Sequence, residues 1–452
     1  MNIKNRLITM NFFQFFVWGA WLITIANFWF GTKHWEGTQF GLVFGTMGIA
    51  SLFMPTLTGI IADRWINAEK LYGVLHILYG LVLFILPQIT TPDTFIYIML
   101  LAMCFYMPTI ALSNSISYTA LKNSDSADVV KDFPPIRVWG TIGFIAAMWL
   151  TNLSGNKATA YQFYIAGIAA ILLGVYAFTL PKCPPQRTKS EKTPLFETLG
   201  LEAFKLFANY KMALFFIFSM FLGGALQLTN AYGDLFLSEF ANVSKYAELV
   251  KRFDSEFLVE LSNISGWYEK IVYIFSYPDL LSALVIKYST IIMSISQISE
   301  TLFILAIPYF LKRFGIKQVM LFSMVAWVLR FGLFAYGNPA DGLWMIILSC
   351  IIYGMAFDFF NISGSLFVET STDSKIRSSA QGLFMMMTNG FGAVLGSFTS
   401  GWAIEKFFTH EGTRDWHNIW LAFAGYALVI AVLFAIFFKH KHNPNEVLNS
   451  SH

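Results

Sequence analysis

Charge is what this sequence has least of. Aspartate, glutamate, lysine and arginine make up only 13% of the 452 residues, about half the share of an ordinary soluble domain. The two signs nearly cancel, at a net charge of +3, so the chain offers no basic surface for a nucleic acid. Cysteine is scarce. Cys104, Cys183 and Cys350 lie in apolar runs or in a basic loop, without disulfide or metal-ligand spacing. No glycine-rich Walker loop is present, which argues against drive by ATP. No nucleophile sits beside a base, which argues against an enzyme. No cleavable leader is expected, because the first apolar run, near 8–30, is too long for one and many more follow.

What fills the space is apolar and aromatic. Hydrophobic residues reach 56%, aromatics 17%, with 47 Phe and 13 Trp. About twenty apolar residues cross a bilayer as a helix, and twelve runs of that kind stand out. Six lie near 8–30, 41–62, 71–90, 95–117, 138–154 and 161–181, and six near 211–233, 288–311, 318–336, 343–365, 379–402 and 418–438. The expected fold is all-α: one six-helix unit over 1–181, a polar, Pro-rich and basic linker over 182–210, a second unit over 211–441, and a tail over 442–452. Of the 30 Lys and Arg, twenty fall on the side of the N-terminus, nine on the opposite side, and Arg330 inside a span. Five of the nine sit in one long loop, so the bias places both termini in the cytoplasm. The halves also look alike: Asp63-Arg64 follows span two as Lys312-Arg313 follows span eight, and Arg137 opens span five as Arg377 precedes span eleven. Parallel repeats of this kind put a binding site at their interface, near mid-membrane.

The loop near 235–285 is unusually long. Val250, Phe253, Phe257 and Leu261 recur at near-helical spacing against Lys251, Arg252, Glu256 and Glu260. Residues 271–286 are apolar again but hold Pro278 and Asp279. An external helical cap is expected, over the mouth or on the membrane surface. The run is too short for a thirteenth span.

Carboxylates at membrane depth cost free energy and mark function by default. Asp358 is one. On a helix Gly354, Asp358, Asn361 and Ser365 share a face, with Tyr353 and Phe357 beside it. Glu300 is the other, one turn from Gln297 in span eight; its plain alternative is a salt bridge to Arg330. Gln227 and Asn230 pair in the same way in span seven. Arg137, Thr141 and Phe144 are spaced along span five, with Arg137 equally readable as a basic residue reaching for the membrane edge. Gln14, Trp18 and Trp21 form a stripe on span one that favours packing over a site, and Tyr106, Asn114, Ser115 and Ser117 in span four are open to either reading. Asp63 and Arg64, in a short loop after Gly59, suit a gating latch.

Amides, hydroxyls, two carboxylates and several aromatics, with no arginine cluster for a phosphate, suit a neutral solute with hydroxyls and a flat ring. A nucleoside fits, and so does a sugar. Desolvation favours the neutral form of a carboxyl group, so Asp358 or Glu300 could carry a proton and couple uptake to the proton gradient. A sensor built on the same fold would bind without concentrating its ligand.

Three stretches carry a closer likeness: Asp132-Phe133-Pro134-Pro135-Ile136-Arg137-Val138-Trp139-Gly140-Thr141-Ile142-Gly143-Phe144, Ser294-Ile295-Ser296-Gln297-Ile298-Ser299-Glu300-Thr301-Leu302, and Ala356-Phe357-Asp358-Phe359-Phe360-Asn361-Ile362-Ser363-Gly364-Ser365. They resemble the nucleoside/proton symporters of the major facilitator superfamily, and the resemblance runs along nearly the whole chain. The superfamily's general inner-loop motif is only partly matched, by Gly59, Asp63 and Arg64. The resemblance implies two six-helix bundles importing purine and pyrimidine nucleosides with protons across the bacterial inner membrane. A proton-coupled sugar symporter or a narrow, xanthosine-type permease is the alternative. It implies a site of Arg137, Thr141, Phe144, Gln227, Asn230, Gln297, Glu300, Tyr353, Phe357 and Asp358, with Asp358 as the proton-coupling residue. A monomer driven by the proton gradient, with no cofactor, no metal and no nucleic-acid partner, is expected; the resemblance also implies a loop shorter than the one near 240–283.

Overall fold

The computed structural model describes residues 2–124, 129–185, 201–373 and 376–441. The linker from 186 to 200 and the tail from 442 on lie outside them. The first half holds helices Ile3–Gly19, Gly37–Arg64, Ala68–Ile85, Pro92–Lys122, Val129–Leu153 and Tyr161–Ala177. The second half opens with Tyr210–Glu239, which Asn209 caps by accepting from the Lys211 and Met212 amides. Ser289–Tyr336 follows as one helix broken at Gly315, whose φ of 77° only glycine adopts easily. The break divides it into span eight (289–314) and span nine (316–336). Leu343–Ser371 is span ten, and Trp416–Phe437 is span twelve. Span eleven runs from Arg377 to Phe408 with a π-helical stretch, Met386–Gly392, in its middle. The whole is a membrane protein of twelve helices in two six-helix bundles. A two-strand hairpin, Thr409–His410 paired with Thr413–Arg414, is the one departure from all-α structure among the described residues.

Several helices overrun the hydrophobic runs that signalled them. Span four extends to Pro92–Lys122 and span ten to Leu343–Ser371. Hydropathy marks only the stretch at bilayer depth, while backbone hydrogen bonds carry a helix on into the polar zone. Span five begins at Val129 and carries Pro134 and Pro135 inside it. Span one is the reverse case: its α-helix stops at Gly19 and gives way to turns and a π-helical stretch, Asn27–Thr32.

Lipid supplies no hydrophobic drive between helices, so close packing and small residues hold them. Within the first bundle, spans one and five cross where the Phe12 carbonyl fills the space a side chain at Gly143 would need. Between the bundles, the backbone of Gly401 in span eleven lies against Gly41 in span two. Trp21, Trp29, Trp327 and Trp420 are almost wholly buried in a core that spans both halves.

The long loop folds into a cap of short helices between Ser244 and Lys287. Phe253 and Phe257 are buried against Leu280 and Ala283, with Leu261 partly covered, so the apolar stripe seen in the sequence becomes a small separate core. The run near 271–286 splits into Trp267–Ser276 and Pro278–Lys287, with Pro278 opening the second helix, where its missing N–H is not needed. Each has ten residues, about 15 Å of helix and half of what a crossing requires.

Candidate functional site

One large cavity of about 810 Å³ lies between the bundles. Its depth is lined by Trp18 and Arg137 from the first bundle and by Gln227, Asn230 and Phe357 from the second; Asp63, Arg64, Phe204 and Ser379 line its mouth. That mouth is at the end of the molecule where span one begins and span twelve ends. At the opposite end, which carries the cap, the bundles are shut. There Trp149 Nε1 donates to Ser294 Oγ at 2.9 Å, Asn27 Nδ2 donates to Asp234, and the Arg414 guanidinium lies 3.8 Å from the Phe30 ring centre. The Phe40 and Tyr232 rings also meet there edge to face.

Span ten is brought to the site by one glycine. A side chain at Gly354 would sit 2.6 Å from the Ser299 carbonyl oxygen, and Ser299 Oγ in turn donates to the Ile351 carbonyl. This contact of spans eight and ten sets Asp358 and Glu300 within each other's field. Glu300 also acts on Arg137 of the other bundle, so a base and two carboxyl groups form one electrostatic unit across the interface. Arg137 lies over the Phe15 ring at 4.0 Å. Phe357 stacks on Tyr353, with ring planes 9° apart. Asp358 is buried, and its Oδ2 has no hydrogen-bond partner among the described residues; the same is true of Gln227 Oε1, Gln297 Oε1 and Trp18 Nε1.

The residues singled out in the sequence divide accordingly. Arg137, Gln227, Asn230 and Phe357 line the cavity, and Asp63 and Arg64 line its mouth. Tyr353 and Asp358 stand behind Phe357, with Glu300 and Gln297 one helix away. Phe144 meets the cavity-lining Trp18 edge to face, and Thr141 lies one turn beyond Arg137 on span five. Asn361 does not reach the large cavity. It lines a separate void of about 20 Å³ with Thr388 and Asn389, because the helical turn that aims Phe357 inward carries Asn361 toward span eleven. Ser365 likewise spends its polar atoms on Gln381.

Arg330 is not the salt-bridge partner of Glu300. It donates to the Ser349 carbonyl at 2.7 Å and lies 4.6 Å over Tyr353, supporting that ring from behind. The stripe on span one also divides. Gln14 is locked between Thr109 and Tyr72, Trp21 donates to Tyr79, and Trp18 alone lines the cavity. Asn389 was missed: an amide in the π-helical stretch of span eleven lines the cavity, and its polarity amid apolar neighbours was the available signal. Asn114, open to either reading in the sequence, lines it as well.

Comparison with known proteins identifies the family and the fold. The chain is 47% identical to the xanthosine permease of Escherichia coli K12 over 448 residues, covering 99% of this chain and 98% of the relative. It is 45% identical to the nucleoside permease NupG of the same organism over 443 residues, covering 98% and 97%. The crystal structure of the nucleoside transporter NupG superimposes with a TM-score of 0.84, covering 98% of this chain and all of that one. The family described as nucleoside H+ symporter matches residues 1–443. With that match along its length and a major facilitator fold, the chain belongs to the nucleoside H+ symporter family.

Proposed function

We propose that this protein imports purine and pyrimidine nucleosides together with protons, by alternating access, across the bacterial inner membrane. The observation that carries the reading is the cavity between the bundles: its volume is in the range of about 300–1,000 Å³ typical of small-molecule sites, and aromatics, amides and a charged cluster converge on it. Phe357 would stack on the base, a contact worth about 1–3 kcal/mol in nucleic-acid sites. Gln227 and Gln297 would read ribose hydroxyls and base edges through the amide oxygens that have no partner among the described residues, with Asn230 of the cavity wall beside Gln227. Arg137, Thr141 and Phe144 would form the opposite wall.

Asp358 and Glu300 act on each other, and interacting carboxyl groups take up and release protons as a pair. Asp358 would carry the coupled proton, with Glu300 and Arg137 setting the charge balance as the proton comes and goes. The excess of Lys and Arg on the termini's side makes that side cytoplasmic, and the state described is then inward-open. Asp63 and Arg64 would latch the inner mouth when it closes. The unit is a monomer that needs no cofactor. Residues 1–181 and 211–441 would be the two bodies that rock about the site.

The test is uptake of labelled uridine into proteoliposomes under an imposed proton gradient. Accumulation above equilibrium that collapses with a protonophore is expected. Binding without accumulation would overturn the reading. The similarity to a xanthosine permease favours a second, narrower reading. A competition panel of uridine, adenosine and xanthosine separates the two.

A further inference from the structure

The cavity does not use every buried charge. Lys157 sits in the turn between spans five and six, in the first bundle, at the cap end. Its ammonium donates to Ser289 Oγ at 2.8 Å, to Ser238 Oγ at 3.0 Å and to the Ile286 carbonyl at 3.4 Å. All three acceptors belong to the second bundle or to its cap: Ser238 ends span seven, Ser289 begins span eight, and Ile286 is in the final turn of the cap helix Pro278–Lys287. One residue on in that helix, the Lys287 carbonyl accepts from Asn152 Nδ2 at 3.2 Å. The last carbonyls of a helix lack partners within it and carry the negative end of its dipole. The first bundle thus supplies a cation and an amide to the end of a helix in the other half.

Lys157 is held firmly on its own side. Its carbonyl accepts from Gln162 Nε2 at 3.1 Å, and Gln162 Oε1 accepts from Thr24 of span one. The nearby negative charge is Asp234 of span seven, which accepts from Thr290 Oγ1 at 2.8 Å and from Asn27. Burial pushes the lysine pKa down and Asp234 pushes it back up, as for an ammonium stabilised by the site it enters. Lys157, Ser238, Ser289, Thr290 and Asp234 all have partners here, and the Asn152 amide oxygen has none among the described residues.

We propose that Lys157 is the latch of the cap-end gate: plugged into Ser238, Ser289 and the end of helix Pro278–Lys287, it holds that end shut and makes the cap a part of the gate. The latch rests on the alternating-access reading above, since the bundles must part here to admit a solute from the cap side. Lys157 touches no solute. It acts by setting which end of the cavity is open.

The test uses the full chain with Cys104, Cys183 and Cys350 replaced by alanine and Leu226→Cys placed in the cavity wall. A membrane-impermeant maleimide is applied from each side of oriented vesicles, without substrate. Lys157→Met is expected to raise the labelling rate from the cap side roughly tenfold and to lower it from the other side, as a shift of a two-state population requires. Lys157→Arg should stay near the parent. The pair Ser238→Ala and Ser289→Ala keeps the lysine and removes two acceptors. It should shift labelling in the same direction by less, and it decides the matter if Lys157→Met fails to fold. Parental labelling rates from both sides in the folded variants would overturn the latch. If the parent fails to accumulate uridine but labelling still shifts, the transport reading falls and the latch stands.

Discussion

The two ends of the interface between the bundles are built from the same helices and treat charged groups differently. At the cap end, spans two and eleven touch at Gly41 and Gly401. The charged side chain Lys157 is paired with its serines and Asp234 with Asn27 and Thr290, and Trp149 donates to Ser294, while the Ser397 hydroxyl beside Gly41 and the Asn152 amide oxygen have no partner among the described residues. Toward the other end the same two spans part, and Pro55, Gly59, Ser379 and Gly382 line the cavity. At the level between, Gln227, Gln297 and Asp358 each keep a buried oxygen without a partner among the described residues. A buried polar atom left unpaired costs about 1–3 kcal/mol. The contrast teaches that the closed gate pairs its lysine and aspartate within the protein, whereas the binding site leaves the Asp358 carboxyl and two amides with an oxygen open to a ligand.

Asp358 should break the contrast most completely. Asp358→Asn is expected to abolish uphill uridine uptake, reducing accumulation to equilibrium while solute exchange persists; unchanged proton-driven accumulation would move coupling to another group. Next comes the glycine contact. Gly41→Leu places a side chain where the Ser397 carbonyl already lies, so the cap end should no longer shut and uptake should fall at least tenfold, with cavity labelling shifted to the cap side. The site itself should respond more moderately. Phe357→Ala should weaken uridine binding by about 1–3 kcal/mol, the worth of a base-stacking contact, and Gln297→Ala by about 1 kcal/mol for a lost hydrogen bond. Calorimetry giving parental affinity for both would refute the pocket. The smallest effect on binding belongs to the cap: deleting residues 244–276, which leaves Pro278–Lys287 in place, should change transport rate while affinity stays within about twofold. A larger loss of affinity would make the cap part of the site.

Much of this could be read from the sequence, and the rest fails for identifiable reasons. The spans were visible because a bilayer demands long apolar runs. Span ends were not, since helix continues past the apolar run, as at Ser371 and Lys122. Spacing placed Gln227 with Asn230 and Gln297 with Glu300 on shared faces, because i and i+3 coincide on any helix. The same rule put Asn361 on the strip with Asp358 and could not say that its side of the helix meets span eleven instead of the cavity. Charge alone offers Arg330 as a partner for Glu300; its true partners are a backbone carbonyl, the Thr229 and Ser296 hydroxyls and two rings, which charge patterns do not encode. Lys157 counted only as one more basic residue on the cap side. Its importance comes from which helix ends the folded chain brings to it.

The backbone contact at Gly41 and Gly401 turns span two into a lever. From Gly41 to Asp63 the helix is about 33 Å long, so a tilt of ~10° about the glycine contact swings the Asp63 end through about 6 Å. That sweep approaches the width of a nucleobase, and no helix need unwind or lose a backbone hydrogen bond to produce it. Passage at the inner mouth is then a matter of leverage, set by how far the fulcrum sits from the load, and a bulky side chain placed at the fulcrum acts on the far end multiplied by the length of the arm.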